Sequence, residues 1–131
     1  MEETLIDTIR LENRLRLEIY DASRRIAGDR WQVRMLARVQ IDLTGDLIPI
    51  GNGSDPSVQE MTDTLGDRVL FEYQAERNFV DETEKEAVLN AQKESFLVSA
   101  RSYLGHPEFP GRYTVKKYRE ALNQRTLNGA G

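Results

Sequence analysis

Apolar and polar residues alternate from Leu15 to Leu43 for longer than anywhere else in the chain. Leu15, Leu17 and Ile19 fall on odd positions, and Trp31, Val33, Met35, Ala37, Val39, Ile41 and Leu43 continue on odd positions. A period of two places every second side chain on one face of a pleated strand, so this stretch predicts two strands with one buried and one wet face. Asp21–Asp29 reads as the polar connection between them, ending in Gly28-Asp29. Upstream, Leu5, Ile9 and Leu11 alternate with polar residues around Asp7, which interrupts the apolar face of a first strand. Setting Ile9 against Leu17 leaves a three-residue loop, Glu12-Asn13-Arg14, in which Asn13 tolerates a left-handed backbone.

The connection at Asp21–Asp29 predicts Tyr20 opposite Arg30, Glu18 opposite Gln32 and Arg16 opposite Arg34. Like charges face to face destabilise a sheet, so that register raises the question of an anion between the two arginines. A slip by two residues would preserve the faces. The strand from Arg30 to Leu43 would span about 45 Å, long enough to predict a bulge at Met35-Leu36-Ala37.

Thr44–Asp55 is rich in glycine and reads as a loop. Asp55 is the expected cap, Pro56 the first residue and Gly66 the terminator of a helix to Leu65. Val69, Phe71, Tyr73 and Ala75 predict a fourth strand, with Glu72 and Glu76 turned outward. Asp81-Glu82-Thr83-Glu84 has capping-box spacing. The long helix that follows would bury Val88, Leu89, Ala91, Phe96, Ala100, Tyr103 and Leu104, turn Lys93 outward, and stop at Gly105 and Pro107. A rigid turn over His106–Gly111 and a cap at Thr114 predict a last short helix, Val115 to Gln124. The expected fold is a single α+β domain over 1–127: an antiparallel sheet of about four strands, covered on one face by the long C-terminal helix, plus two shorter helices. Residues 128–131 are expected to fray.

Composition narrows the chemistry. The 131 residues contain no cysteine and one histidine, which removes thiolate chemistry, disulfides and multi-histidine metal sites. A net charge of −4 is unevenly spread: residues 1–43 balance eight Arg against eight acidic groups, 44–109 carry five basic against thirteen acidic, and 110–131 five basic against one. No apolar run is long enough for a membrane span, and acidic residues near the start argue against a signal peptide. A cytoplasmic protein with no cofactor, no metal, no catalytic residues and no membrane contact is expected.

Arg14, Arg16, Arg30, Arg34 and Arg38 collect on the wet face and form the candidate anion-binding set, since guanidinium groups grip phosphate and carboxylate bidentately. Glu18, Glu72 and Glu76 are the competing partners for them within the chain. Tyr20 is the one aromatic residue on that face, too few for base stacking, so nucleic acid is not the expected ligand. Asp21 and Ser23 match the start of a motif used by PilZ domains, but Ile26 stands where that motif has glycine, and no family is claimed. Gly51–Asp55 before a helix offers an anion cradle but lacks the Lys-Ser/Thr of a phosphate loop. His106 reads as a cap for the preceding helix. The expected role is therefore non-catalytic, through a protein partner or a second copy, the basic end meeting the acidic middle. The alternative is an anionic ligand on the arginine face, a nucleotide or phosphate or, less expected, nucleic acid.

Overall fold

A computed structural model describes residues 3–43 and 56–129. The chain forms two compact units, one of residues 1–39 and 71–105, the other of residues 40–70 and 106–131. Five strands build one antiparallel sheet: β1 (Thr4–Arg10), β2 (Arg16–Asp21), β3 (Arg24–Ala27), β4 (Arg30–Asp42) and β5 (Arg68–Asp81). The helices are α1 (Val58–Leu65), α2 (Lys85–Leu104) and α3 (Phe109–Gly129), with a single 3-10 turn at Glu82–Glu84. The α+β class holds, with five strands rather than about four.

In the first unit, β1 pairs with β2 in the expected register, Ile9 opposite Leu17. The left-handed residue of their connection is Arg14 (φ 73°), not Asn13. The Asn13 side chain is otherwise engaged: it accepts the Leu15 amide at 3.2 Å and donates to the Leu104 carbonyl at 2.8 Å. Next to that contact, a Cβ on Gly105 would lie 3.2 Å from the Arg101 carbonyl oxygen, a tight approach, and 3.4 Å from the Glu12 nitrogen of the loop, in ordinary contact.

The second register differs from expectation. Glu18 faces Arg38 and Tyr20 faces Leu36, a slip of six residues. The reason lies in Asp21–Asp29, which is not a loop. Residues 24–27 form β3, which returns onto β4 through the two-residue turn Gly28-Asp29, with Arg24 opposite Gln32. Glycine at the first turn position takes φ 55°, as two-residue hairpins favour. Between β2 and β3 the Ser23 hydroxyl accepts the Arg34 amide at 3.0 Å, keeping the ladder satisfied across the break. Because the slip is even, the faces are unchanged: Leu17, Ile19, Val33, Met35, Ala37 and Val39 are all buried. No break falls at Met35–Ala37. The irregularity lies on the partner strand, between Arg25 and Ala27, and Leu36 is buried on the opposite face.

Helix α2 lies on the apolar side of this sheet. Its inward residues recur at helical spacing, Leu89, Lys93, Phe96, Ala100 and Leu104, while Ala91 and Tyr103, expected inside, are exposed. Phe96 stacks on Tyr73 of β5 at 4.7 Å, and Gln92 donates to the Val33 carbonyl at 3.3 Å. Lys93 does not face solvent as expected. It meets Asp7 of β1 at 2.6 Å, which accounts for the carboxylate interrupting that strand. The expected capping box is absent too: β5 runs on to Asp81, whose carboxylate accepts the Thr83 hydroxyl instead of a backbone amide.

In the second unit, α1 packs against α3, and Ile41, Leu43, Met61, Val69, Phe109 and Val115 are buried. Ser57 caps α1 by accepting the Glu60 amide at 3.1 Å, a Ser-x-x-Glu signal. The expected cap Asp55, together with the loop 44–55 and its anion cradle, lies outside the described residues. Gly66 ends α1 with φ 89°. Helix α3 has 21 residues, beginning at Phe109 rather than Val115. Pro110 costs nothing in a first turn, where its missing amide would have no partner. Thr114 is fully buried inside the helix and bonds back to the Pro110 carbonyl at 2.7 Å. His106 serves the start of α3, its Nδ1 accepting the Glu108 amide at 3.1 Å, while Gly105 ends α2.

The Gly28 turn gives a clean test. A Cβ there meets nothing within 4 Å, so only the backbone conformation is penalised. Gly28→Ala should lower unfolding stability by about 1 kcal/mol and Gly28→Asn by less, read as a shift of the urea midpoint at constant slope. Equal stability of Ala and Gly at this position would contradict the turn.

Candidate interaction surface

The five arginines of the wet face do not converge. Arg14 occupies the connection between β1 and β2. Arg16 begins β2 and faces Arg10, not Arg34. Arg30 lies 3.8 Å from Asp29 and 3.9 Å from Asp81. Arg34 donates twice to the Gln74 side chain, at 3.1 and 2.6 Å. The question of Arg16 against Arg34 is thereby moved to Arg10 against Arg16.

Arg38 has the fullest set of partners. Its guanidinium grips Glu3 bidentately, both bonds at 2.8 Å, bonds through Nε to Glu72, and lies 5.0 Å from the centre of the Tyr20 ring. One side chain thus links the residue preceding β1 to β2, β4 and β5 across the wet face. The bond from Arg38 holds the Glu3 carboxyl below its ordinary range, and these carboxylates raise the guanidinium further above its own. Lys93 does the same to Asp7, again chiefly through the hydrogen bond. Burial, and then Glu18, push the Tyr20 hydroxyl up. Of the three acidic partners expected from the sequence, Glu72 fills that role directly, and Glu18 sits opposite Arg38 in the ladder.

A different surface emerges at the sheet's margin. Among the described residues β5 pairs with β4 alone, which leaves its other edge open. Beside it runs a groove of about 680 Å³, walled by Tyr73, Ala75 and Arg77 on the strand and by Ala87, Val88 and Ala91 on α2. Gln92 also lines it, and its Oε1 is buried without a hydrogen-bond partner. At the end of the edge, Phe79 is 71% exposed with φ 58°. Strand alternation inverts there: the half-buried positions are Phe71 and Ala75, but beyond Phe79 the buried one is Val80. In the sequence the same point is marked by the shift of apolar residues from odd positions, Phe71, Tyr73 and Ala75, to the even position Val80.

The opposite edge, β1, is interrupted by a register shift between Leu5 and Asp7 and anchored by the Asp7–Lys93 pair. Edge strands protected in this way resist added strands. Residues 71–78 carry neither proline nor lysine.

Acid should report on the Arg38 and Lys93 pairs. Glu3 and Asp7 have folded pKa values below their unfolded ones. Their contribution is complete above the ordinary carboxylate range, about pH 4, and is lost as pH falls through the folded values. The melting temperature should therefore fall on acidification below about pH 4, and less steeply in Arg38→Met, where Glu3 has lost its donor. Identical acid slopes for the two proteins, measured by circular dichroism, would remove Arg38 from this account. No known protein family, no curated protein and no solved structure matches the chain.

Proposed function

We propose that the protein works in the cytoplasm as a non-catalytic interaction module, docking a protein partner along the open edge of β5. Phe79 carries the reading. A bulky aromatic residue in a left-handed conformation costs about 1–3 kcal/mol, and this one spends its ring on solvent. Glycine or asparagine would suit the backbone better, so what the aromatic ring offers is contact. An open strand edge supplies backbone hydrogen bonds to an incoming strand, and neighbouring pockets supply selectivity. The β5 edge has both, the second in the groove toward α2.

An anionic ligand is supported by a separate observation. Arg10, which faces Arg16 across β1 and β2, lines a cavity of about 360 Å³ together with Glu12, Leu97, Arg101 and Ser102. Arg10 and Arg101 are the two guanidinium groups that line it and could grip a phosphate there. Inorganic phosphate at constant ionic strength should then raise the melting temperature of the wild type and not that of Arg10→Ala. An equal response of both proteins would reject a site there.

A photo-crosslinking amino acid at position 79 tests the main reading, with the same group at Val98, 85% exposed on α2, as control. The expected result is a discrete adduct from position 79 alone, competed by unlabelled wild type and not by Phe79→Asn. Phe79→Asn should at the same time gain about 1 kcal/mol in stability through relief of the backbone. Adducts that are absent, or that wild type does not compete, would sink the proposal.

A further inference from the structure

We infer that the occupant of the β5 edge is a second copy of this chain, joined strand to strand about a two-fold axis at Ala75. The inference rests on the reading of β5 as a docking edge and adds the partner and the register. An axis perpendicular to the sheet keeps each face on its own side, so a residue can oppose only residues of its own parity in the copy. Within the first unit β5 begins at Phe71, and its regular stretch, residues 71–78, ends at left-handed Phe79. Within it, two self-pairings join seven of the eight residues, one centred on Gln74 and one on Ala75.

Charge separates the two. Centring on Gln74 sets Glu72 against Glu76 twice over, a like-charge clash. Centring on Ala75 sets Glu72 against Asn78, Gln74 against Glu76 and Tyr73 against Arg77, with no like charges opposed. A guanidinium beside a tyrosine ring is an attractive cross-strand pair. Residues 71–78 of the first unit are therefore self-complementary in the register centred on Ala75.

The groove fits the same symmetry. Because the axis leaves both α2 helices on one side of the joined sheet, the two grooves open toward each other across it. Their facing walls are Ala87, Val88 and Ala91, small enough for close approach. The smaller pocket beside Trp31, lined by Asp21, Ser23 and Lys85, plays no part.

The absence of cysteine makes the register directly measurable. In the full chain, Ala75→Cys places two thiols on the axis, within disulfide reach. Gln74→Cys and Glu76→Cys place like thiols two residues out of register, at the margin of that reach. Light scattering should give about 30 kDa, twice the 15.0 kDa chain. Mild oxidation should lock Ala75→Cys as a covalent dimer at least tenfold faster than the other two, with unchanged circular dichroism. Ala75→Lys, which opposes two ammonium groups on the axis, should weaken association about tenfold. A monomer at every concentration, with a competed adduct of another protein still forming at position 79, overturns the second copy and leaves the docking edge standing. A dimer that oxidises faster through Gln74→Cys overturns the register. Loss of the competed adduct removes edge and dimer together.

Discussion

The parity of β4 is the constraint on which the first unit depends. Its odd-numbered side chains from Val33 to Val39 are buried without exception, and every neighbour must present a matching face. A strand pairing beside it may shift by two, four or six residues and still bury the same atoms, but a shift of one would turn the whole set into water. Hydrophobic patterning therefore fixes faces and leaves register to be decided by turns. Here the Gly28-Asp29 turn decides it. Once that turn closes after two residues, Asp21–Ala27 has to run alongside β4 as strand, and Glu18 arrives at Arg38.

That register also organises the wet face. With Glu18 beside Arg38, the guanidinium reaches Tyr20, Glu3 and Glu72 together, and the arginines are dispersed instead of gathered. Exposed ion pairs contribute little individually. The arrangement on Arg38 differs because one planar group, 23% exposed, satisfies two carboxylates in fixed directions and covers an aromatic ring. The Asp7–Lys93 pair has the same logic on the other side of the sheet. It lets a carboxylate sit in an otherwise apolar strand and ties the helix to that strand's edge.

What could be read from the sequence follows from which signals are local. The β1–β2 pairing was legible because Leu11 and Leu15 bracket a short loop, and the α1 and α2 faces because their apolar residues keep helical spacing. Strand β3 was not, since Arg24–Ala27 is exposed throughout and gives no alternation to detect. Its signature was the glycine at the turn. The length of α3 was hidden by Pro107 and Pro110, which read as breakers although proline is tolerated in a first turn. Alternation assigns the arginines to the wet face and its connections, but whether they gather or disperse depends on a register that the turn sets. The β5 edge was missed for a different reason: an unpaired strand side is a property of sheet order, which no stretch of sequence encodes alone.

The two-residue turn at Gly28 also bears on the order of folding. The β3–β4 hairpin, the return of β2 onto β4 and the three-residue connection of β1 are all contacts between near neighbours in sequence, so closing them loses little chain entropy. Pairing of β5 with β4 must instead close the long excursion between Asp42 and Arg68. The meander β1 to β4 is thus positioned to assemble first, with the far side of β4 briefly open, and β5 to arrive as the strand that seals it. The last strand to join the sheet is then the one whose own outer side stays open.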